Sequence, residues 1–205
     1  MNIDKNIPIY VISISGNEIS QYYRKIADES FLKKGFTNLI HHEATLPNTI
    51  PEPNYLNFAE NRIYTSKRKR IWNVTEKAIW YSHTEAWKRI IESGQPSIII
   101  EHDCILTKEI SNSITEFPLF SFACSTRNHS LAAVGYYIKP DCASDMLNEI
   151  LLKKIVVPVD GFIHLKEPWY PYGILEREWI KNKIFARHFI HSNVGTNKRR
   201  IGERN

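Results

Sequence analysis

Glu101, His102 and Asp103 are the residues of this chain best suited to chemistry. They follow Ser97-Ile98-Ile99-Ile100, a short apolar run rich in β-branched residues, the kind that forms a strand covered on both faces. In open α/β sheets ligands bind beyond the carboxyl ends of the strands. Glu101 and Asp103 therefore stand where a hard divalent cation could be held by oxygen ligands and bridged to substrate phosphates. A pair of solvated loop carboxylates is the other reading of this spacing. A third acid, Asp160, ends the apolar run Val156-Val157-Pro158-Val159. Within hydrogen-bond reach of a hydroxyl it could take that group's proton, and it could equally cap a helix beginning at Gly161.

The elements around these acids follow from pattern. Asn73 with Glu76 three residues on is an Asn form of the capping box, which predicts a helix starting there. Ile79, Trp80, His83, Trp87, Ile90 and Ile91 recur at helical spacing and make one broad apolar face. Gly94 and Pro96 end the helix. His83 falls on its buried side, where a lone histidine is ordinarily a core residue bonded to backbone and otherwise a support for a nearby site.

The stretch Val74 to Leu165 resembles glycosyltransferase family 25, which holds lipooligosaccharide-biosynthesis and procollagen galactosyltransferase-like enzymes. The resemblance rests on Ser82-His83, Glu92-Ser93-Gly94, Glu101-His102-Asp103, Gly135-Tyr136-Tyr137-Ile138 and Pro158-Val159-Asp160, in that order. It implies an α/β fold of GT-A type, a nucleotide-binding sheet flanked by helices. It also implies transfer of a sugar from a nucleotide-sugar donor, such as a UDP-sugar, to an acceptor hydroxyl, assisted by Mn²⁺ or Mg²⁺. On that footing Asp103 and Glu101 hold the metal, His83 and Glu101 support the donor pocket, and Asp160 is the catalytic base. Many GT-A enzymes bring a C-terminal histidine to the metal or pyrophosphate, and by this analogy His191 is a metal ligand. Two departures stand out. His102 replaces the middle acid of the motif, and Ser13-Ile14-Ser15-Gly16-Asn17 replaces the Asn-Leu-(Asp)-Arg-Arg pattern after the first strand. The first bears on metal affinity and choice, the second on contacts to the donor's base.

The chain opens on a predicted strand, Ile7 to Ile14, a turn at Gly16-Asn17, and an amphipathic helix from about Glu18 to Lys34. The helix carries Ile19, Tyr22, Tyr23, Ile26 and Phe31 and closes at Gly35; a second strand is expected over Phe36 to Ile40. Such a β-α-β opening begins many parallel nucleotide-binding sheets. Ser13 and Ser15, at the end of the first strand, are candidates to touch the donor nucleotide, or are simple turn chemistry. From His41 to Trp72 the periodicity fails, and Pro47, Pro51 and Pro53 predict an irregular connection long enough to serve as a lid. It closes with Lys67, Arg68, Lys69 and Arg70, a basic cluster that could grip phosphates of a donor, a charged glycan or DNA, or form a solvated loop. His41-His42-Glu43 is not expected to bind metal, because adjacent loop residues seldom converge on one ion.

Beyond the acidic motif the pattern predicts a short helix at Ser111 to Phe117, strands at Leu119 to Cys124 and Leu131 to Ile138, and a helix over Asp141 to Leu152. A last strand is expected within Ile184 to Ile190, with residues 193–205 a basic, mobile tail. The 205 residues fit one domain, and 42% hydrophobic with 24% charged residues is ordinary for a globular protein. No run reaches the length of a membrane span, and the first twenty residues lack the pattern of a secretory leader. Three scattered cysteines suit a reducing cytoplasm, with Cys104 and Cys124 as core fillers. The net charge of +5 favours anionic partners. Three functions are compatible with these features: a transferase acting on a bacterial surface glycan, as in lipopolysaccharide biosynthesis; a phage-type DNA-modification enzyme glycosylating a hydroxymethylated base; and a non-catalytic nucleotide-sugar or nucleic-acid binding protein whose metal site was lost through His102.

Overall fold

A computed structural model describes residues 3–65, 68–124, 133–166 and 186–188. Its centre is a mixed five-stranded sheet in the order β2-β1-β5-β9-β7. Strand β1 (Ile9–Ser13) is buried along its whole length and runs parallel both to β2 (Leu39–Glu43) and to β5 (Ser97–Glu101). Strand β9 (Gly135–Ile138) is antiparallel to β5 and to β7 (Leu119–Ser121). Period-two alternation divides the strands between two cores. Ile9, Val11, Ile98 and Ile100 pack with Phe31 and Phe36 on the face of helix α1 (Glu18–Leu32). Tyr10, Ile12, Ile99 and Tyr136 pack on the other face with helices α2 (Val74–Ser93), α3 (Pro140–Leu152) and α4 (Val159–Lys166).

The expected central helix is present. Asn73 Oδ1 accepts the Glu76 N–H at 2.8 Å while the Glu76 carboxylate accepts the Asn73 N–H at 3.2 Å, the full capping box. Gly94, at φ +64°, closes the helix in the left-handed region. Trp80, His83, Trp87 and Ile90 are buried, whereas Ile79 is exposed at the margin of the face. Trp80 and Trp87 meet edge to face at 6.2 Å, with Phe162 of α4 at 5.2 Å from Trp80. Truncating either tryptophan to alanine would cost about 3–5 kcal/mol.

Three expectations are corrected. Helix α1 buries Ser20, Ala27 and Phe31, while Ile19 and Tyr22 point to solvent. The connection from β1 fixes this rotation, because Ser20 Oγ accepts the Ile14 N–H at 2.9 Å and Asn17 Oδ1 accepts the Ser20 N–H at 2.9 Å. Strand β2 begins at Leu39 and extends through His41, His42 and Glu43, because its register on β1 pairs Ile12 with His42 and Ser13 with Glu43. The stretch expected to be irregular also holds a hairpin, β3 (Asn61–Thr65) with β4 (Arg68–Ile71). Its strands are too polar to alternate, so pattern could not reveal them.

The segment between β2 and β3 is anchored on α2. Ser82 Oγ accepts the Thr45 N–H at 2.9 Å, the Tyr81 hydroxyl accepts the Leu56 N–H at 3.2 Å, and Leu56 is buried. The Tyr55 hydroxyl bonds Glu85, and Lys88 lies 4.1 Å above the Tyr55 ring. Beyond β5, strand β6 (Cys104–Leu106) leads to a 3₁₀ turn (Asn112–Glu116). The expected strand over Leu119 to Cys124 divides into β7 and β8 (Ala123–Cys124). Strand β10 (Ala186–His188) pairs with β6 and β8 in a small second sheet. Cys104 is buried, as expected of a core filler.

Candidate active site at the carboxyl end of the sheet

Strands β1 and β5 are neighbours whose sequence connections lead to opposite sides of the sheet. The chain leaves β1 through α1 to β2 on one flank, and enters β5 from α2 before pairing with β9 on the other. This is a topological switch point, and the crevice beyond the carboxyl ends of two such strands is where open α/β sheets bind ligands. Ser13 and Ser15 lie at that end of β1. Glu101, His102 and Asp103 lie at that end of β5, the last two in the turn into β6.

Glu101 is the best-defined member. Its backbone N–H bonds the Val134 carbonyl at 2.8 Å, and its carboxylate, about one quarter exposed, approaches His83. His83 is buried, with Nδ1 2.8 Å from the Tyr136 hydroxyl and Nε2 3.4 Å from Glu101 Oε1. The Tyr136 oxygen already accepts the Trp87 Nε1–H at 2.9 Å. Burial, reinforced by the charges on Glu101 and Asp160 and opposed by the Trp87 hydrogen bond, pushes Tyr136 well above the ordinary phenol range. The hydroxyl keeps its proton, and the His83 ring bridges the phenol through Nδ1 and the Glu101 carboxylate through Nε2. The rings of His83 and Tyr136 stack at 5.8 Å, which fixes the plane of the imidazole.

Asp103 is almost fully buried in the turn. His102 carries a buried Nε2, and Ser13 a buried Oγ, with no hydrogen-bond partner among the described residues. Both atoms lie at the ends of adjacent strands, where a ligand's polar groups could complete their bonding. Ser15 is committed within the protein. Its N–H bonds both oxygens of Glu43, at 3.0 and 3.2 Å, and its hydroxyl bonds the same carboxylate. Glu43 thus braces the loop after β1.

Asp160 lies in the first turn of α4, where a carboxylate complements the helix dipole. The helix begins at Val159, so Asp160 is inside it and does not cap it. Its Oδ1 accepts the Ala133 N–H at 2.7 Å, one residue before the carbonyl that binds Glu101. Asp160 and Glu101 thus bond to consecutive residues, Ala133 and Val134.

Among the described residues no group of three His, Cys, Asp or Glu side chains is arranged to hold a metal. Glu101 and Asp103 remain as a pair on one turn. A pair suffices for Mg²⁺ or Mn²⁺ when phosphate and water supply the other ligands. His191 and Lys67 lie outside the described residues. The backbones of Arg68, Lys69 and Arg70 form β4 of the separate two-stranded hairpin, with Arg70 exposed.

Sequence reasoning missed Glu43, Tyr136 and Trp87 as parts of the site. Glu43 became recognisable only with the register of β2. Tyr136 was visible in the Gly-Tyr-Tyr run, but alternation alone does not say which of two tyrosines faces His83. No family model matches the chain, and no curated protein matches it.

Proposed function

We propose that the chain is a nucleotide-sugar-dependent glycosyltransferase of GT-A type, moving a sugar from a donor such as a UDP-sugar to a glycan hydroxyl. The observation that carries this reading is the Glu101 carboxylate beside the buried His83 at the switch point, with Asp160 bonded to Ala133, the residue before the one that Glu101 bonds. The orphaned Ser13 and His102 atoms support a ligand beside it. Parallel strands β2, β1 and β5, joined through a β-α-β unit, support a nucleotide-binding sheet.

In the proposed reaction the bond between the sugar's anomeric carbon and the diphosphate oxygen breaks, and the nucleoside diphosphate leaves with the electron pair. The acceptor oxygen forms the new bond, and its proton passes to the Asp160 carboxylate. Asp103, with Glu101, would hold Mn²⁺ or Mg²⁺, which when bound offsets the charge gathering on the leaving diphosphate. His83 keeps Glu101 in place and excludes competing rotamers. Asp160 stays anchored through one oxygen by Ala133.

The test is release of nucleotide (UDP, GDP or CMP) from a panel of UDP-, GDP- and CMP-sugars, with Mn²⁺, Mg²⁺ or EDTA, with and without a glycan extract. Metal-dependent release from one donor is expected. Asp103→Asn should lower it by orders of magnitude. Near-normal metal-dependent turnover in that variant would sink the assignment. Donor binding without release, with every acceptor, would favour a binding protein instead.

A further inference from the structure

Six of the large hydrophobic side chains exposed among the described residues belong to β4, α2, α3, α4 and the connection before α4. They are Ile71 at the end of β4, Val74 at the start of α2, Leu151 and Leu152 at the end of α3, Val156 in the following connection, and Leu165 in α4. Leu152 is 84% and Ile71 79% exposed. These elements are tied together. The Ile155 N–H bonds the Asn57 carbonyl at 2.7 Å, and the Ala59 N–H bonds the Ile155 carbonyl at 3.0 Å. Phe58 packs on Trp72 at 5.1 Å, and Trp80 Nε1 donates to the Val157 carbonyl at 3.2 Å. Behind them a cavity of about 220 Å³ opens between α3 and α4, walled by Ile150, Ile155, Val157, Phe162, Leu165 and Lys166.

Around this cavity Lys153, Lys154 and Lys166 outnumber Glu149, which pairs with Lys153 and Lys166. Lys153 and Lys154 stand exposed next to Leu151 and Leu152. Leu151, Leu152, Val156 and Leu165, exposed beside Lys153 and Lys154, make an apolar and basic surface of the kind that marks an interaction site.

We propose that this side docks on an anionic lipid bilayer, its leucines and isoleucine entering the boundary between headgroups and acyl chains while Lys153 and Lys154 meet lipid phosphates. Amphipathic surfaces bind membranes by this combination of apolar burial and attraction to anionic lipid. Nucleic acid is the weaker fit. Its backbone gains from lysine and arginine, and its bases from aromatic faces, but neither gains from bare Leu151, Leu152 and Val156. The apolar cavity between α3 and α4 adds room for part of an acyl chain. Leu165 and Asp160 share α4, about 7 Å apart along its axis, so a docked membrane would lie close to the candidate base. Docking itself does not depend on the transferase reading.

The full chain should float with phosphatidylcholine vesicles containing phosphatidylglycerol and remain behind with phosphatidylcholine alone, the difference shrinking at high salt. Lys153→Gln with Lys154→Gln should weaken binding at least about tenfold. Leu152→Asp with Ile71→Asp should abolish it while the circular dichroism spectrum is unchanged. Equal binding to neutral vesicles, no binding to either, or binding unaffected by these variants would overturn the proposal. So would retention of a DNA duplex by this surface without vesicle binding, or self-association that Leu152→Asp removes. Donor turnover, measured separately, reads the catalytic proposal alone.

Discussion

His83 stands between two hydrogen-bonding partners that want opposite things of it: the Tyr136 hydroxyl, 2.8 Å from Nδ1, donates, and the Glu101 carboxylate, 3.4 Å from Nε2, accepts. Trp87 donates to the same tyrosine oxygen at 2.9 Å, which leaves the phenol's own hydrogen free to reach Nδ1. Donation from the hydroxyl predicts ¹⁵N shifts of the His83 ring that report a bare Nδ1 and a hydrogen on Nε2. Tyr136→Phe removes the donor to Nδ1, strands the Trp87 N–H, and should mix the two tautomers. If Glu101 acts in transfer, His83→Asn should lower kcat about 10- to 100-fold, the range found when a partner that orients a metal-site residue is removed. The donor KM should change less. An unchanged tautomer in Tyr136→Phe would show that something else sets the imidazole.

Asp160→Asn separates anchoring from proton transfer. The amide oxygen of asparagine can still accept the Ala133 N–H, so α4 and the start of β9 should stay in place and the melting temperature should hold. What is lost is the basic carboxylate. If Asp160 takes the acceptor's proton, turnover should fall about 10²- to 10⁴-fold. A stable variant with full activity would move the base elsewhere; a destabilised one would make the residue structural.

The site was legible where local rules decide structure, and illegible where register does. Asn73, Glu76 and Gly94 bound α2 by capping and backbone preference, which act over a few residues, and these positions matched. The apolar run ending at Glu101 announced a doubly covered strand for the same reason. Glu43 and Ser15 are different. They meet because β2 pairs with β1 out to Ser13–Glu43, a long-range register that two polar strand ends do not advertise. Helix α1 shows the same limit. Its most apolar stripe, with Ile19 and Tyr22, is not the one it buries, because Ser20 must reach back to the Ile14 N–H. Where hydrophobicity and a hydrogen-bonded connection disagreed, the connection won.

His42 gives the fold an acid limit. It is buried in β2, Nε2 lies 3.1 Å from the Ser82 carbonyl, and Nδ1 has no hydrogen-bond partner among the described residues. Burial, with Arg89 nearby, lowers it from 6.5 to about 4. A histidine held neutral by the fold is protonated more readily in the unfolded chain. Its contribution to stability is therefore complete above about pH 6.5 and is lost as the pH falls toward 4, amounting to about 3 kcal/mol across that window. Urea midpoints should fall over this range in the wild type. They should fall less in His42→Gln, which keeps a donor for Ser82 but cannot take up the proton. Parallel pH profiles for the two proteins would assign the acid limit to another group.

Tyr81 decides how firmly the segment before the hairpin is held. Its hydroxyl accepts the Leu56 N–H at 3.2 Å and donates to Asn54 Oδ1, which itself accepts the Leu56 N–H at 3.0 Å. Because that N–H is shared, Tyr81→Phe does not orphan it, and the cost is one net hydrogen bond, about 1 kcal/mol. That corresponds to a melting temperature about 2–4 °C lower for a chain of this size. The local effect should be larger than the global one. Tyr55 keeps its edge contact with ring 81 at 4.9 Å in the variant, so the ring stays seated while Asn54 is released. Hydrogen exchange at Leu56 should accelerate while Ile98 to Ile100, in the middle of the sheet, keep their protection. A uniform rise across both regions would mean that the segment and the sheet open as one unit, leaving no independent motion for a lid.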